Sequence, residues 1–61
     1  MKQIKVLYND LSVGFFILNE SLEIMEHGFH ITDESIIENI KADYPVGTQI
    51  ELSDNYYRIY K

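Results

Sequence analysis

Only one stretch of this chain repeats its apolar residues at the period of a helix. Ile36, Ile37, Ile40 and Tyr44 share one helical face, while Glu34, Glu38, Lys41 and Asp43 fall largely on the other. Thr32-Asp33-Glu34-Ser35 opens the segment with a Thr or Asp cap and an acid in the first turn, where the helix dipole favours negative charge. Pro45 blocks continuation and biases Tyr44 out of the α region. The pattern predicts a single helix, about residues 33–43, and leaves the rest of the chain to a sheet.

The N-terminal half alternates as strands do. It predicts strands at 2–8 and 13–18 around an Asn9-Asp10-Leu11-Ser12 turn, with Tyr8 paired to Val13, Val6 to Phe15 and Ile4 to Ile17. A turn at Asn19-Glu20 then returns a third strand at about 22–26. A short helix capped by Asn19 and ended by Gly28 also fits Leu22 and Met25. His27-Gly28 turns the chain into an extended Phe29-His30-Ile31. After the helix, an Asp54-Asn55 turn would pair Ser53 with Tyr56, Leu52 with Tyr57, Glu51 with Arg58 and Ile50 with Ile59. That register gathers the apolar side chains on one face and places Glu51 opposite Arg58. The expected fold is a small single α+β domain spanning residues 1–61, mostly antiparallel, in the order βββαββ.

Size limits what such a fold can do alone. A chain of 61 residues buries only about 60% of the surface it exposes when unfolded. With no cysteine it has neither disulfides nor thiolate metal sites, so the supports left to it are association with another chain or an oxygen/histidine metal site. The net charge of −5 disfavours phosphate backbones and anionic membranes. Acids concentrate between Glu20 and Asp43, and bases (Lys2, Lys5, Arg58, Lys61) lie near the ends. The N-terminal segment lacks the apolar core of a signal peptide and no run is long enough to span a membrane, so a cytoplasmic protein is expected. Heavy use of Ile, Lys, Asn, Tyr and Phe fits an AT-rich bacterial or phage genome.

Chemistry finds little to work with. No serine lies in a Gly-x-Ser-x-Gly elbow, and the three glycines are scattered, so neither a nucleophile elbow nor a phosphate-cradling loop can be built. Glu26, His27 and His30 are legitimate metal-ligand types, but 27 and 30 point to opposite faces of an extended chain. No catalytic residue, metal or cofactor is therefore assigned, and a non-enzymatic module is expected.

Two surfaces could bind a partner. Under the pairing above, the helix covers one sheet face and leaves Leu7, Phe16, Leu18 and Met25 on the other, an apolar patch suited to a homodimer or another protein. Tyr56, Arg58 and Tyr60 form a second stripe on the outer face of the last strand. The alternative is an acidic inhibitor that mimics nucleic acid, using Glu20, Glu23, Glu26, Asp33, Glu34, Glu38 and Asp43 in place of phosphates.

Overall fold

The computed structural model of the protein describes residues 1–51 and 56–60. It is a two-layer α+β domain with the element order βββαβ: β1 (Lys2–Tyr8), β2 (Leu11–Leu18), β3 (Ile24–Phe29), α1 (Glu34–Asp43) and β4 (Tyr56–Ile59). The sheet order is β3-β2-β1-β4. β2 runs antiparallel to both β1 and β3, whereas β4 runs parallel to β1.

The helix follows its local signals closely. The Asp33 carboxylate caps it, accepting from the Ser35 and Ile36 amides at 3.1 and 3.3 Å. Tyr44 closes it by donating its amide to the Ile40 carbonyl at 2.8 Å, one residue before Pro45. Ile40 is buried, and Ile36 and Tyr44 pack beside it on the sheet. The core beneath comprises Ile4, Val6, Val13, Phe16, Leu18, Ile24, Ile50 and Ile59.

The first hairpin turns more tightly than expected. Asn9 and Asp10 form a two-residue turn with φ of 49° and 67°, flanked by the Tyr8–Leu11 pair. Left-handed angles at both central residues are the hairpin geometry that Asn and Asp tolerate best. Trimming a four-residue turn to two moves the register by two, which leaves every side chain on its face. The bulge between Val6 and Leu7 has the larger effect. Val13 becomes the extra residue, and beyond it Val6 faces Gly14 and Ile4 faces Phe16. A one-residue shift exchanges the two faces of a strand, so Phe16 and Leu18 turn inward and Phe15 and Ile17 turn outward.

The third strand is extended, as expected, but starts and ends later. Asn19 organises the preceding loop: its side-chain oxygen accepts from the Ser21 and Glu23 amides at 2.9 and 3.0 Å, and its amide nitrogen donates to Glu23 Oε1 at 3.0 Å. Leu22 takes a left-handed φ of 63° in that loop. His27 and Gly28 are strand residues rather than a turn, and a second bulge lies between the Ile17–Glu26 and Leu18–Ile24 pairs.

The expected terminal hairpin is absent among the described residues. Gln49 bridges Glu23, and the Ile24 amide donates to the Thr48 carbonyl at 2.9 Å. The Ile50 amide donates to the Leu22 carbonyl at 3.0 Å. This segment therefore joins the start of β3, while β4 lies on the opposite edge with Tyr56 beside Lys5 and Ile59 beside Tyr8. Ile50 does not pair with Ile59, nor Glu51 with Arg58. The physical gain is that Ile50 and Ile59 close the core from its two ends, each under 5% exposed, and β1 acquires a partner on its free edge. The Asp54-Asn55 turn and the Ser53–Tyr56 and Leu52–Tyr57 pairs lie outside the described residues.

Candidate interaction face

One helix covers one side of the sheet, and the other side has no second layer among the described residues. Paired residues share a face and alternate along each strand, so the partners define three rows across the open side. These are Glu26–Ile17–Gln3, Gly28–Phe15–Lys5–Tyr56 and Ser12–Leu7–Arg58. Leu7, Phe15 and Ile17 are half-buried in the middle of the face, with exposed Gln3, Lys5, Glu26 and Arg58 around them.

Two glycines shape the surface. A β-carbon on Gly14 would run into the Gly28 carbonyl, so the bare residue lets β2 and β3 approach. A β-carbon on Gly28 would run into the Phe15 ring, which occupies that space. Aromatic cover of a strand glycine restores contacts the missing side chain cannot make. Beside the ring lies a shallow depression of about 300 Å³ lined by Gln3, Lys5, Ser12, Gly14, Phe15 and His30. His30 borders it with Nε2 donating to the Ser12 carbonyl at 2.9 Å.

At the β4 end, Arg58 stacks over the Tyr56 ring at 4.7 Å from its centroid and donates to the Tyr56 hydroxyl at 3.2 Å. Its guanidinium also pairs with Asp10 of the first turn. Hydrogen bonding to Tyr56 comes first among the influences that raise the Arg58 pKa, and Tyr60 acts in the same direction. The stripe of Tyr56, Arg58 and Tyr60 is thus brought together, although β4 ends before Tyr60, which is 67% exposed.

The expected apolar patch is divided. Phe16 and Leu18 are 0% exposed and belong to the monomer's own core, because the Val13 bulge turns them inward. Leu7 stays on the open face, and Met25 sits at the β3 bulge, 48% exposed. Phe15 and Ile17, assigned inward from sequence, replace the lost pair. Gly14 next to Val13 was the available signal, since a glycine inside a strand often marks a bulge.

The histidine–carboxylate cluster is dispersed. His27 faces the core, edge-on to Phe16 at 5.4 Å and stacked on Phe29 at 6.1 Å, and donates from Nε2 to the Tyr44 carbonyl at 2.6 Å. Glu26 points to the other side, and His30 holds Ser12. Among the described residues no group of three or more metal-ligating side chains converges, and no helix is long and apolar enough to cross a membrane. Comparison of the chain with protein-family models, curated proteins and solved structures gives no match.

Proposed function

We propose that this chain is a small non-enzymatic protein–protein interaction module that binds through its open sheet face. The observation that carries this reading is the run of Leu7, Phe15 and Ile17 across a face that has no covering layer among the described residues. A solvated antiparallel face ordinarily alternates to polar side chains, and contiguous apolar surface on a small domain marks a contact site. Tyr56 and Arg58 extend the face with residue types enriched where interfaces concentrate their energy.

The alternative of an acidic nucleic-acid mimic has less support. Glu26 lies on the open face, Glu34 and Glu38 lie on the helix behind it, and Glu23 is engaged with Asn19. Those carboxylates do not follow one another along a single surface.

Photo-crosslinking decides between occupancy and solvent. A photoreactive side chain at Ile17 in the native host should give a discrete protein adduct, either a doubled chain or a larger species. The same probe at Glu38 should give none. Equal, diffuse labelling from both positions would reject the reading.

A further inference from the structure

Resting on that reading, we infer that the occupant of the open face is a second copy of this chain, packed across a twofold axis between Phe15 and Ile17 with the two sheets crossing steeply. The face is self-complementary in charge. Glu26 on β3 and Lys5 on β1 flank β2 on opposite sides, and neither has an ion-pair partner among the described residues. Their shared neighbours on β2 are Ile17, opposite Glu26, and Phe15, opposite Lys5. An unpaired acid, an apolar pair and an unpaired base therefore lie in sequence along one diagonal of the face.

Geometry then fixes the arrangement. Glu26 and Lys5 are separated by two strand spacings of about 4.8 Å and by one same-face step of about 6.8 Å along the strands. A twofold axis that exchanges them must cross that diagonal at its midpoint, which falls between Phe15 and Ile17. Each Glu26 then meets the other copy's Lys5, and the two apolar pairs stack around the axis. Because the axis runs obliquely to the strands, the sheets cross in the near-perpendicular class of packings rather than the aligned one.

The overlap is small. The molecule measures 30 × 20 × 19 Å, so two steeply crossed faces cover about 400 Å² of each other, at the low end for a specific interface. The dimer should accordingly form only at high protein concentration.

Sedimentation equilibrium on the purified chain tests the inference, with circular dichroism confirming that each variant is folded. The wild type should reach twice the 7.2 kDa chain mass at high concentration. Glu26→Lys and Lys5→Glu should each weaken the dimer by about tenfold or more, since symmetry counts every repulsion twice. The double variant, carrying both reversals, should recover to within about threefold of wild type. A chain monomeric at every concentration, or a double variant no better than the singles, would overturn the inference. If the wild type is monomeric while Ile17 still crosslinks a larger host protein, the dimer fails and the interaction reading stands.

Discussion

The Phe15 ring rests on Gly28, its cross-strand partner, in the space a β-carbon would fill. Gly28→Ala should therefore displace the ring and cost about 1–3 kcal/mol. In a Phe15→Ala background the same change should be neutral or stabilising by about 0.5–1 kcal/mol, because Ala suits a strand better than Gly. Gly14→Ala should be worse, about 3 kcal/mol or more, since the obstructing atoms are backbone of Gly28 and Phe29. Urea unfolding of the four chains gives the coupling; an equal cost for Gly28→Ala in both backgrounds would refute the contact.

Neighbouring residues on β2 should respond in opposite ways. Phe16→Ala removes a side chain with 0% exposure and should cost about 3–5 kcal/mol. Ile17→Ser, on the open face, should leave monomer stability within about 1 kcal/mol while reducing association. Urea midpoints at low protein concentration separate the two effects. Comparable destabilisation at both positions would contradict the bulge-shifted register.

The helix start offers a cleaner single-residue test. Asp33→Ala should cost about 1 kcal/mol through the two amides it leaves uncapped. Thr32→Ala should change little. A larger loss at Thr32 would reassign the cap.

How legible each of these features was depends on how local its cause is. The helix was readable because its cap, its apolar stripe and Pro45 all lie within a dozen residues. The outward placement of Tyr56 and Arg58 was readable for a related reason, since strand alternation holds whichever neighbour β4 takes. The bulge at Val13 was harder. It changes one residue in the register, and the outcome depends on which face of β2 packs better against a helix twenty residues away. The partner of β4 was hardest, because a nearby hairpin and a distant parallel slot satisfy the same alternation. Among the described residues the open face carries Leu7, Phe15 and Ile17 where the sequence pattern put Leu7, Phe16, Leu18 and Met25, because the bulge reverses β2 beyond Val13.

Alkaline titration reports on the core beside β4. Burial first, then hydrogen bonding to Tyr44 and the charges of Tyr44 and Glu51, push the Tyr57 phenol from 10.0 up to about 12. The folded state thus keeps this proton longer than the unfolded chain does. The associated stability is complete below the unfolded pKa of 10.0 and fades as pH rises through about 12. Phenolate absorbance should show a late-ionising tyrosine that Tyr57→Phe removes. Loss of an ordinary, early phase instead would contradict the burial.

The parallel docking of β4 on β1 joins Tyr56 to Lys5 across almost the whole sequence. During synthesis, every other strand can find its neighbour before this pairing becomes available. Until then β1 is an open sheet edge, with its backbone donors and acceptors unmatched and its apolar residues only partly enclosed. Unprotected edges recruit foreign strands, and closing so long a loop is among the slower steps of folding. The vulnerable period for this protein is therefore the interval between the emergence of the helix and the arrival of the last strand. A chain proteolytically shortened before Tyr56 would keep that sticky edge, so β4 is the safeguard of β1 against self-templated aggregation.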